Sequence, residues 1–167
     1  KGYLVKLRNN FYTFPELKNF NNIHFYIANR MYRPSYVSLH TALAFHGLIP
    51  ESIVQTTSIS TMKTIRFENE LGSFSYKKVK NELFFGYTHL EFTKNTTFLI
   101  ALPEKALLDL LYLYPFYNTE AEITNLRIDE GILSETIQLR RLHDFLSQFK
   151  NKALEKRINL FLKCYQR

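Results

Sequence analysis

Hydrophobic and polar positions change period several times along the chain, and each change marks an element. At the N-terminus Tyr3, Val5 and Leu7 alternate with Leu4, Lys6 and Arg8, pause at Asn9-Asn10, and resume as an aromatic run at 11–14. That pattern predicts a β-hairpin, because asparagine tolerates the positive φ that a two-residue turn needs. Over 20–31 the apolar residues Phe20, Ile23, Ile27, Ala28 and Met31 follow helical spacing; "IHFYI" also fits strand alternation, but a twelve-residue run favours the helix. Pro34 breaks it, since proline biases Arg33 away from helical angles. Ser35 then stands where an N-cap would serve a second helix over 36–46, closed by Gly47 and Pro50. From 53 to 101 the segments "SIVQTTSIS", "TIRFEN", "GSFSYKKV", "LFFGYTHLEF" and "TTFLIAL" are rich in β-branched and aromatic residues. They predict an antiparallel sheet of four or five strands. "LPEKALLDLLYLYP" is apolar around most of a helical circumference, with Pro103 in the first turn and Glu104 complementing the dipole, and so predicts a central buried helix. Two amphipathic helices over 134–149 and 151–165 close the chain. Leu142, Phe145, Leu146 and Phe149 form one stripe, and Leu154, Ile158, Phe161, Leu162 and Tyr165 the other. The class expected is α+β, with helices packed on the sheet.

Composition narrows this only at its edges. A chain of 167 residues, 46% hydrophobic and 16% aromatic, can bury one substantial core. No apolar run approaches the roughly 20 residues that span a bilayer, and the first ten residues lack signal-peptide architecture, so no membrane association and a cytoplasmic location are expected. The single cysteine, Cys164, cannot form an internal disulfide. The formal net charge of +7 is concentrated at the end: 140–167 carries eight basic residues against Asp144 and Glu155. Arg140, Arg141, Lys152, Lys156 and Arg157 are accordingly expected to face solvent, either as a plain hydrated face or as a surface for nucleic acid or an acidic protein.

A search for catalytic chemistry returns little. His24, His40, His46, His89 and His143 include no pair at the three- or four-residue spacing of a helical metal site. His143-Asp144 stands without upstream histidine partners. Ser35, Ser38 and His40 are close in sequence, but that spacing supplies neither a nucleophile elbow nor oxyanion donors. No glycine-rich phosphate loop occurs. Within the expected buried helix, Lys105 and Asp109 can pair across one turn, or Lys105 can reach another carboxylate. No catalytic residue, metal or cofactor is therefore expected. Lys6 and Arg8, beside the hairpin turn, resemble the wing of a winged helix, which touches phosphates while a helix reads bases.

Two separated motifs carry a family resemblance. Arg33-Pro34-Ser35-Tyr36, Ser38, Ala42-Leu43 and Gly47-Leu48-Ile49-Pro50, a Thr-rich strand near Thr56, and then Pro103-Glu104-Lys105-Ala106-Leu107 with Asp109, resemble the core of the AbiEi antitoxins of type IV toxin-antitoxin and abortive-infection systems, which are also transcriptional regulators of viral defence. The resemblance covers roughly 1–113. It implies that 1–19 is the wing remnant and linker of an N-terminal winged helix-turn-helix domain, that more chain precedes it, and that 20–167 is the antitoxin domain. It also implies DNA contact by Lys6 and Arg8, although family wings often carry Arg-Gly where Asn9-Asn10 stands here. Arg33, Ser35, Tyr36, Ser38, Glu104, Lys105 and Asp109 become a candidate antitoxin surface. The implied partners are operator DNA, bound through the complete N-terminal domain, and an AbiEii-like nucleotidyltransferase toxin, which type IV antitoxins need not hold in a stable complex. The alternatives are a nucleic-acid-binding regulator with no toxin partner and, less favoured, a nucleic-acid-processing enzyme.

Overall fold

The computed structural model describes residues 3–52 and 54–165, and the chain divides into two compact units, each built from discontinuous segments. The first comprises Lys1–Val37 and Ile53–Ile100, the second Ser38–Ser52 and Ala101–Arg167.

In the first unit, β1 (Val5–Arg8) and β2 (Phe11–Thr13) form the expected hairpin, with Asn10 at φ +64° in its turn. A 3-10 turn leads to α1 (Ile23–Met31), which buries Ile23, Ile27, Ala28 and Met31. The chain then passes through a cis Arg33–Pro34 peptide into β3 (Ser35–Val37). With β4 (Gln55–Ser60), β5 (Ile65–Asn69), β6 (Gly72–Lys78), β7 (Tyr87–Thr93) and β8 (Thr96–Ala101), it forms a six-stranded sheet ordered β5-β6-β4-β3-β8-β7. The α+β class is as expected, but the sheet has six strands, not four or five. It also contains two parallel joins, β4 with β6 and β3 with β8, beside antiparallel β3–β4 and β5–β6.

The additional strand is the Ser35-Tyr36-Val37 stretch, expected to open a helix. Three residues are too few to show a period, and packing decides the matter: Tyr36 is fully buried, with ring centroids 5.0 Å from Phe84 and 4.9 Å from Tyr87. Tyr76 secures α1 from the sheet by donating its hydroxyl proton to the Ala28 carbonyl at 2.7 Å. Asn29 ties α1 to β8 by accepting the Leu99 amide proton.

The second unit is helical. Here α2 (Leu39–Phe45) has Ser38, not Ser35, at the N-cap position, and it ends through Gly47 at φ +76°. Gly47 and Leu48 donate amide protons to the Ala44 and Leu43 carbonyls at 2.9 Å, which satisfies the helix end. A Cβ at Gly47 would lie 3.1 Å from the Ile132 side chain, a second reason for glycine there. Central to the unit is α3 (Pro103–Leu113), buried continuously from Pro103 to Leu111 as its all-round apolarity predicts. Against it pack α2, α6 (Leu139–Phe149) and α7 (Lys152–Cys164), with α4 (Glu120–Thr124) lying on α7. A capping box between Thr119 and Glu122 starts α4; Asp129 caps α5 (Glu130–Thr136), and Asn151 caps α7. The amphipathic helix expected over 134–149 is thus two helices, α5 and α6, separated at Ile137-Gln138.

Candidate functional site

Parts of the two motifs behind the resemblance, 38–50 and 103–109, meet inside the second unit, whereas 33–36 belongs to the first. Ser38, entering α2, donates its hydroxyl proton to Asp109 Oδ2 at 2.8 Å, and Lys105 Nζ, one turn back along α3, donates to Asp109 Oδ1. All three side chains are fully buried, and the Lys105 ammonium also lies 5.0 Å from the Phe149 ring centroid. Burial pulls the Lys105 pKa below its ordinary value, with the Asp109 carboxylate opposing. Pairing across one turn is the first of the two arrangements open in the sequence. A second buried carboxylate, Glu104, accepts the Gln138 amide proton at 2.7 Å and an Arg141 guanidinium proton at 3.0 Å. This capture of Gln138 at the N-cap of α6 accompanies the break between α5 and α6.

The expected antitoxin surface therefore requires correction. Ser35, Tyr36, Ser38, Glu104, Lys105 and Asp109 are all buried, and of the seven candidates only Arg33 is exposed. Ser38, Lys105 and Asp109 hold the second unit together, and Tyr36 fills the core of the first. The reason is that short polar motifs beside apolar runs supply internal hydrogen bonds as readily as surface contacts. Ser35 is also not a helix cap. Its hydroxyl is buried and has no hydrogen-bond partner.

The two basic residues of the hairpin divide. Lys6 is exposed, whereas Arg8 donates to the Met31 carbonyl at 2.7 Å and lies 4.7 Å over the Phe67 ring. The Leu7 carbonyl likewise accepts from Asn69 at 3.0 Å, so Arg8 and the hairpin are tied to the body of the first unit. The basic residues of the last two helices divide in the same way. Arg140, Lys152 and Lys156 are exposed, but Arg141 is bound to Glu104, and Arg157 donates to the Leu111 carbonyl at 2.8 Å. The expectation that all five face solvent holds for three.

In the first unit, exposed Arg30 and Arg33 flank two adjoining clefts of about 580 and 470 Å³. Arg33 is among the residues expected from the sequence, and Arg30 is not. The signal was the three-residue spacing across "RMYR" at the end of α1, whose importance depends on sheet residues far away in sequence. Among the described residues no cluster of three or more His, Cys, Asp or Glu side chains is placed to hold a metal ion, and no helix is long and apolar enough to cross a membrane. Comparison of the chain with family models, curated proteins and solved structures gave no match.

Two half-buried histidines give the second unit a pH response. His46 Nε2 donates to the Ala101 carbonyl at 2.8 Å, and His40 Nε2 shares a hydrogen bond with the Tyr117 hydroxyl at 3.1 Å. Burial lowers both pKa values from the ordinary 6.5, although Glu51 opposes this at His40 and the carbonyl and Glu104 oppose it at His46. A depressed folded-state pKa means that the unfolded chain binds protons first on acidification. The stability contribution is thus complete above about 6.5 and declines as pH falls through the folded-state values. Thermal melts should show a lower Tm at pH 5.5 than at 7.5, and a His40→Gln, His46→Gln chain should show a smaller difference.

Proposed function

We propose that the chain is the antitoxin domain of an AbiEi-like type IV toxin-antitoxin system, acting without catalysis of its own in the cytoplasm. In this reading it neutralises an AbiEii-like nucleotidyltransferase toxin, and autoregulation through operator DNA belongs to the family's N-terminal winged domain. The observation that supports it is the hydrogen bond between Ser38 and Asp109. These residues come from the two separated motifs of the resemblance, and their bond joins 38–50 of the first motif to 103–109 of the second within the helical unit, while 33–36 lies in the first unit. The reading assigns those motif residues to stability and leaves recognition to exposed positions.

The test is co-expression with the AbiEii-like nucleotidyltransferase toxin that this reading requires. Restored growth is the expected result, and persistent toxicity in the presence of folded, abundant protein would defeat the proposal. Within that assay, reversing Lys152 and Lys156 to Glu should leave both folding and rescue intact, because exposed charges contribute little to stability. Adding Arg157→Glu should lower Tm through loss of the Leu111 carbonyl contact. A rescue defect in the well-folded double variant would instead place part of the neutralising surface on the exposed basic residues Arg140, Lys152 and Lys156.

A further inference from the structure

The 470 Å³ cleft of the first unit has a chemistry that the core network does not explain. Arg30 and Arg33 stand at its edge, Ser35 lies in its lining, and Phe84 and Tyr87 contribute aromatic surface. Thr97 and its neighbours at the start of β8 add further polar groups. The lining contains two guanidinium groups and His89 but no carboxylate. Arg33 makes no hydrogen bond or ion pair with another described residue, and the contact made by Arg30 is with the Tyr26 ring, 5.1 Å from its guanidinium carbon. Stacking of that kind uses the face of the guanidinium and leaves its in-plane N–H donors available.

The second, independent observation is Ser35. It is 2% exposed, and its hydroxyl is without a partner. Buried hydroxyls are ordinarily satisfied, so an orphan one lining a cationic cleft marks a place where a ligand oxygen would complete the bonding. A multiply charged oxyanion suits a lining that holds two arginines, an unpartnered serine hydroxyl and no carboxylate, because phosphate offers several acceptors and arginine binds it in bidentate fashion. The cleft is also larger than such an anion requires: its volume falls in the range of about 300–1,000 Å³ typical of small-ligand sites. Ring surface beside the charged edge fits a planar base.

We infer that this cleft binds a nucleotide, with its phosphate at Arg30, Arg33 and the Ser35 hydroxyl and its base against Phe84 and Tyr87. The ligand is either a free nucleotide or one residue of a single-stranded RNA, since both present the same phosphate and base. The inference concerns the first unit alone and does not depend on the antitoxin reading.

Titration of the purified 167-residue chain with each of the four ribonucleoside 5′-monophosphates, the matching nucleosides, inorganic phosphate and a pentanucleotide RNA tests it, read by calorimetry or amide NMR shifts. At least one monophosphate or the RNA should bind, with its nucleoside and inorganic phosphate each about tenfold weaker or worse. Arg30→Ala and Arg33→Ala should each weaken that binding about tenfold, the usual order for a charge-assisted hydrogen bond. Ser35→Ala should weaken it as well while leaving Tm unchanged or raised, because the hydroxyl removed has no partner in the folded chain. Tightest binding by a monophosphate identifies the free nucleotide as the source, and tighter, more salt-sensitive binding by the RNA identifies the strand. The inference is overturned if no monophosphate and no RNA binds, if nucleoside or inorganic phosphate binds as well as nucleotide, or if Lys152→Ala and Lys156→Ala reduce affinity as much as the arginine variants.

Discussion

Replacing Asp109 with alanine should destabilise the second unit by about 3–5 kcal/mol, the range expected when one partner of a buried ion pair is removed. The size follows from what remains. Lys105 would keep an ammonium at a fully buried position without its carboxylate, and Ser38 would lose its acceptor. Some of the loss would be relieved by deprotonation of Lys105, whose pKa burial already lowers. Lys105→Met combined with Asp109→Leu should lie closer to the native stability than Asp109→Ala, because it removes both charges and leaves neutral partners such as the Ser38 hydroxyl to go unsatisfied, at a cost of about 1–3 kcal/mol each. Urea unfolding of the two chains checks the order. A double replacement worse than the single would mean that the pair is worth more than an apolar filling of the same space.

Glu104→Ala should have the next largest effect, about 1.5–3 kcal/mol, in keeping with a hydrogen bond to a charged group. Two groups lose their acceptor, the Gln138 amide and the Arg141 guanidinium, but Arg141 is about a third exposed and can turn to water, which limits the loss. Hydrogen exchange separates the two contributions. The Gln138 amide should lose protection in Glu104→Ala and keep most of it in Glu104→Gln, where the side-chain carbonyl can still accept. Unchanged exchange at Gln138 in the alanine chain would remove Glu104 from any role in starting α6.

Much of the fold could be read from the sequence because its strongest signals are local. The Asn9-Asn10 turn, the apolar circumference of α3 and the stripes of the last helices each need only the chain within a dozen residues. Ser35-Tyr36-Val37 is a strand where local signals predict the start of a helix, because its conformation is decided by β4 and β8, which lie beyond any local window. The parallel joins escaped notice for the same reason, since alternation reveals a strand but not its neighbour's direction. At the candidate sites, the Lys105–Asp109 spacing was visible and correctly suggested a pair. What could not be read was burial: Arg8, Arg141 and Arg157 look like their exposed neighbours in sequence, and only the carbonyls and carboxylate they reach distinguish them. Arg30 carries no local signal of its place at a cleft, because a cleft is a property of surfaces assembled from distant segments.

The interleaving of the two units bears on how a nascent chain could acquire this structure. The chain leaves the first unit after Val37, spends Ser38–Ser52 in the second, and returns for Ile53–Ile100 before completing the second. β3 cannot obtain its β8 neighbour until Ile100 has left the ribosome, and α2 cannot obtain α3 before the residues that follow. Neither unit can be produced as a contiguous fragment: a C-terminal piece beginning at Ala101 would lack α2 and with it Ser38. Contacts so distant along the chain slow folding and prolong the exposure of unpaired strands, which makes synthesis rate and chaperone supply direct determinants of how much of this protein reaches its native form.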